Sequence, residues 1–255
     1  MIKMSILDYD NIFYDQINDK RVIEEWIKSN YNIYGNLTIT DDFVVNCTGE
    51  VDVNNKSITS LTNGLFRWGT VGTDFNCTYC DKLTSLEGAP KEVGCGFYCG
   101  CCSRLKSLEG APEKVDDDFL CNQCDNLISL EGAPEYIGGD FVCRKCEKLT
   151  SLKGAPEKVG GYFSCSHCDK LETLEGAPKE VGMCFYCNEC NNITSLEGAP
   201  KKVNGNFECY GCINLKNLKG APEIVNGLFR CGNCPDLKIA ASDRKKYKIF
   251  NLTEC

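Results

Sequence analysis

The sequence predicts a mainly β, single-domain repeat solenoid of 22-residue coils, with a parallel β-sheet on one face and a small helical N-terminal cap. Phenylalanine recurs without a slip as Phe75, Phe97, Phe119, Phe141, Phe163, Phe185, Phe207 and Phe229. Two residues after each comes a first cysteine, Cys77, Cys99, Cys121, Cys143, Cys165, Cys187, Cys209 or Cys231. Five residues after each comes a second, Cys80, Cys102, Cys124, Cys146, Cys168, Cys190, Cys212 or Cys234. A unit this short cannot enclose a core, so each copy must bury its apolar positions against its neighbours.

The chain divides into four stretches. Residues 1–48 form an N-terminal cap, in which "KRVIEEWIKSNYNIY" sets Val22, Ile23, Trp26 and Ile27 on one face of an amphipathic helix spanning about 20–34. Residues 49–71 are a degenerate first coil, with Val51, Val53, Ile58 and Leu61 inward and an insertion carrying Trp68. Residues 72–237 are the regular repeats, V-x-x-x-F-x-C-x-x-C-x-x-L-x-x-L-x-G-A-P-x-x. In each repeat Phe and the first Cys, two apart, share the inward face of a short strand. Gly-Ala-Pro forms the corner: Gly allows a tight bend and Pro fixes the chain direction. The return side is expected to be extended or 3₁₀. Residues 238–255 break the pattern with charge, in "AASDRKKYKIFNLTEC", as a polar terminal cap should.

The order "FYCGCCSRLKSLEGAP" resembles the leucine-rich repeat consensus L-x-L-x-x-N/C-x-L, with Phe97 and Cys99 at its apolar positions and Cys102 at its Asn/Cys position. "CDKLTSLEGAPKEV" resembles the short bacterial C-x-x-L-x-x-I-x-x-P-x-x-V repeat and the L-T-S-L-E-G-A-P arrays of phage, giant-virus and bacterial proteins. The resemblance runs from about residue 51 to 237 and implies a viral or bacterial solenoid. It departs from the consensus at one place: the second Cys stands three residues from its Leu rather than two, which leaves the aim of that side chain open.

Paired cysteines pose the main chemical question. C-x-x-C facing C-x-x-C is zinc-ligand spacing, but the repeat itself generates it, and Cys also serves as a small buried hydrophobe. The reading taken is reduced, buried thiols and no cofactor. The alternative is a zinc or iron–sulfur protein with thiolates from the sixteen column cysteines, for example Cys77, Cys80, Cys99 and Cys102; a disulfide ladder is a further one. Outside the columns stand Cys47, Cys95, Cys101, Cys184 and Cys255, of which Cys101 and Cys184 fall where side chains face outward.

Little else suggests catalysis. The one histidine, His167, between Cys165 and Cys168, is read as a solvent-facing residue at the turn edge, and the Glu column of "LEG" is a solvated edge. No enzyme is expected. A net charge of −8 opposes nucleic acid and anionic membranes. Acidic residues in the first stretch and the lack of a long apolar run point to the cytoplasm, of a host or a bacterial cell. Function is therefore sought where the copies differ, at the outward positions one and three residues after Phe. Tyr98, Leu120, Val142 and Tyr186, with Arg144, Tyr210 and Arg230, form the candidate surface for an unidentified protein partner. The caps favour a monomer, and the runner-up to a scaffold and a metal protein is a structural spacer or virion component.

Overall fold

The computed structural model describes residues 20–247 and 249–250; residues 1–19, 248 and 251–255, with the outer parts of both predicted caps and Cys255, lie outside the described residues. Helix α1 (Lys20–Asn30) buries Ile23 and Ile27, as its apolar spacing requires. It is shorter than the predicted 20–34. Asn30 ends it: the side-chain amide donates to Trp26 O (2.8 Å), and the backbone carbonyl accepts from the N–H groups of Asn54 and Asn55. The chain then turns into β1 (Tyr31–Tyr34), β2 (Leu37–Ile39), β3 (Val44–Cys47) and β4 (Glu50–Val53). β1 pairs antiparallel with β4, and β2 with β3, so the cap closes the N-terminal end of each sheet with a reversed strand. Val51, Val53, Ile58 and Leu61 are buried as expected, and so is Trp68.

Eight phenylalanine-bearing coils follow in unbroken register, Phe75 on Phe97 through to Phe207 on Phe229. Their rings stack with centroids 5.0–5.4 Å apart and planes within 4–23°. Phe, both cysteines, both leucines and Val of nearly every coil are sealed from solvent. Because a coil shares its core only with its neighbours, burial is continuous along the axis. Tyr247 closes the far end, its ring 4.7 Å from that of Phe229.

Two parallel ladders run along the solenoid, where one was expected. The phenylalanine ladder belongs to an eleven-stranded sheet and the valine column builds a second sheet of ten strands, so the return side is more regular than predicted. Their hydrogen bonds point in opposite directions: Phe97 N donates forward to Asp118 O (2.8 Å), while Asp116 N donates back to Val93 O (3.0 Å). At the corner, Ala N bonds back to the Leu carbonyl, as Ala111 N to Leu108 O (2.9 Å), with the intervening Gly110 at φ +85°. This is the type II turn geometry that favours glycine. A Cβ on Gly110 would also lie 2.4 Å from Glu87 N of the coil beneath. Among the described residues no helix is long and apolar enough to cross a membrane.

Candidate functional site

The second cysteine of each coil points inward, settling the aim that the longer inner turn left open. From Cys102 onward its thiol donates to the carbonyl of the first cysteine one coil back: Cys102 to Cys77 O (3.2 Å), Cys124 to Cys99 O (3.3 Å), Cys146 to Cys121 O (3.3 Å), and so on to Cys234 to Cys209 O (3.2 Å). At that carbonyl the backbone ladder lapses, and among the described residues no main-chain N–H closes on it. A buried, unpaired carbonyl is costly, and the thiol supplies the donor it needs. Burial pushes the thiols of Cys99, Cys121, Cys143, Cys146 and Cys209 well above the ordinary range. All the cysteines of the described residues are free thiols, and among these residues no three His, Cys, Asp or Glu side chains gather where a metal ion could sit.

The outward positions of the phenylalanine ladder form a relief. Tyr98 and Leu120 are half-buried, and Tyr98 donates to Asp74 Oδ1 (3.5 Å). Burial, with Asp74, Asp118 and Asp117 nearby, pushes its phenol up to about 12. Val142 is 5% exposed, more enclosed than an outward position suggests. Arg230 is exposed and bound to Glu208 (3.0 Å). Tyr98, Leu120, Val142, Tyr186 and Arg230 share one in-register column of the ladder, and Arg144 and Tyr210 stand two residues beyond that column on their own coils. Tyr98, Leu120 and Val142 lie towards the N-terminal end, Arg230 on the last coil, and Arg144, Tyr186 and Tyr210 gather between them.

That group surrounds a hollow of about 480 Å³, lined also by Tyr162, Ser164, Ser166, His167, Asn188 and Glu189. Ser164 and Ser166, 4% and 6% exposed, make its floor. The Ser164 hydroxyl lies 3.4 Å from that of Ser166, which accepts the Asn188 N–H (3.2 Å). Tyr162 and Tyr186 meet edge to face, centroids 5.7 Å apart at 70°. Tyr186 is also hydrogen-bonded to Cys184, which together with burial raises its phenol. His167 Nδ1 lies 3.3 Å from Glu189 Oε2. Arg144 is exposed, and among the described residues its guanidinium closes no ion pair.

Sequence reasoning named Arg144, Tyr186 and Tyr210 but passed over the serines and Tyr162. Small residues carry no signature of their own. The signal was that both outward positions of one coil, 164 and 166, are small and polar together. Cys101 and Cys184 are both half-buried; burial raises the Cys101 thiol, and Cys184 Sγ accepts the Asn206 N–H (3.3 Å). A second hollow on the valine face passes over Gly138, Gly160 and Gly182. Its bareness is a packing requirement, since a Cβ on Gly160 would meet Gly138 O at 2.0 Å.

Comparison with protein-family models, curated proteins and solved structures finds no match for this chain. The architecture is that of a stacked-coil β-solenoid with 22-residue repeats.

Proposed function

We propose that the chain is a non-enzymatic scaffold that binds a protein partner through the outward face of its phenylalanine ladder, on coils of leucine-rich-repeat-like type. The observation that carries this reading is the relief itself: on a frame that hardly changes, one coil drops to serine at both outward positions while tyrosines and an arginine with no ion pair among the described residues stand around it. Rigid aromatics beside an Arg are the composition that protein contact sites favour. The thiol columns belong to the frame, because a thiol that donates a hydrogen bond keeps its proton, whereas a zinc ligand must lose it. Free buried thiols in this number suit a reducing compartment such as the cytoplasm.

Affinity capture of the tagged chain from its own cells tests the scaffold. The expected result is a stoichiometric partner that is lost with Tyr98→Ala plus Tyr186→Ala and retained with Lys158→Ala on the valine face. A partner retained equally by all variants contradicts the reading.

A further inference from the structure

Resting on the scaffold reading, we propose that the serine-floored notch takes one aromatic side chain of an extended partner segment, with a neighbouring Asp or Glu of that segment bound by Arg144. The notch arises because one coil carries serine at both outward ladder positions, with its own Tyr162 standing at the side. In the first outward column Ser164 lies between Val142 and Tyr186, and in the second Ser166 lies between Arg144 and Asn188. Two ladder steps, about 10 Å, therefore separate the side chains rising on either side, the thickness of one ring between two neighbours. Tyr162 and Tyr186 supply ring edges and faces for offset or edge-to-face packing with an inserted ring. The buried serine hydroxyls can meet a phenol or indole proton at the bottom.

The charge at the rim selects the rest of the segment. The chain as a whole carries −8 and repels acidic partners, but at this rim the acids are already engaged. Glu189 faces His167, a pair that is charge-compensated only when the imidazole is protonated, Glu208 holds Arg230, and Asp140 accepts the backbone N–H of Tyr162 (2.8 Å). Among the described residues Arg144 has no carboxylate partner, and Lys145 is exposed beside it. An uncommitted guanidinium next to an aromatic slot fits a carboxylate, which it can bind through two parallel hydrogen bonds.

The repeat supplies its own folding controls. Tyr occupies the Ser164 column at Tyr98 and Tyr186, and Asn occupies the Arg144 column at Asn122 and Asn188, so Ser164→Tyr and Arg144→Asn use residues that the coil already accommodates. Random short peptides displayed on phage are panned against the full chain, and the recovered peptides are synthesised and titrated against wild type and both variants. The expected peptides pair an aromatic with a nearby Asp or Glu and lose about tenfold or more in affinity on either variant. Replacing the peptide's Glu by Gln should weaken binding to wild type but not to Arg144→Asn. No recovered peptide, peptides without an acid, equal binding by Ser164→Tyr, or a notch that takes neutral glycans instead would each overturn the proposal. A captured cellular partner that depends on Tyr98 and Tyr186 but ignores Ser164→Tyr would sink the notch and leave the scaffold standing.

Discussion

Cys146 fills a fully enclosed site and also satisfies the Cys121 carbonyl, 3.3 Å from its sulfur. Cys143, equally buried, makes no comparable bond among the described residues. Truncating either to alanine removes the same volume, so the difference isolates the hydrogen bond. Cys146→Ala should cost about 1 kcal/mol more than Cys143→Ala, measured by denaturant unfolding. A second residue-scale effect sits just before the second cysteine, where Tyr79, Cys101, Gln123, Lys145, His167 and Glu189 all hold φ of +56 to +61°. Side chains with a Cβ are strained there by about 1–2 kcal/mol. Lys145→Gly should therefore raise the midpoint of denaturant unfolding, with a stability gain of roughly 1 kcal/mol after glycine's larger chain entropy is subtracted. Gly110→Ala should lower it, because φ of +85° and the 2.4 Å approach to Glu87 N both exclude a Cβ.

The strands of the regular coils are only two residues long, so no element is stable apart from its neighbours. Stability resides in the stacked columns, and the cost of a cavity depends on position within them. Phe141→Ala, in mid-stack between Phe119 and Phe163, should cost about 3–5 kcal/mol and lower the cooperativity of unfolding. Calorimetry would detect this as a transition that broadens or splits, and a single sharp transition of unchanged midpoint would refute it. The phenylalanine ladder was legible in the sequence because Phe and Cys alternate across two positions. The valine ladder was not: Val is followed by Gly or Asp in most copies and reads as a bend, and two residues are too few for alternation to appear. The left-handed column was hidden for a related reason, since only Gly211 and Asn233 carry residues that signal it. Helix α1 was read four residues too long because Tyr31–Tyr34 continue its apolar content, and only pairing with β4 makes them a strand.

Across the whole molecule most column thiols shift the same way, whereas Cys102 and Cys212 are lowered by hydrogen bonds from the side chains of Cys77 and Cys187. Cys80 and Cys168 are pushed up to about 12 and Cys231 to about 11, chiefly by burial. In the unfolded chain a thiol ionises near its ordinary value of about 8.5. The folded state thus holds protons that the unfolded state releases, so the stability from these thiols is complete below pH ~8.5 and is lost as pH rises towards their folded values. Each raised thiol contributes about 1.4 kcal/mol per pH unit in that window. Denaturant midpoints should fall steeply between about pH 9 and 11 and level off below pH 8. The candidate surface was only partly legible because a notch is made by what is missing from one coil, and absence stands out only after the coils are superposed. Counting thiols tests the central claim, that the sulfur is a protonated part of the core, most directly. With a small thiol reagent and no reductant or chelator, the native chain should react promptly, among the described residues, only at half-buried positions such as Cys95, Cys101 and Cys184, and the unfolded chain at all 21. An unfolded chain in which the sixteen column thiols stay unreactive until a reductant or chelator is added would contradict it.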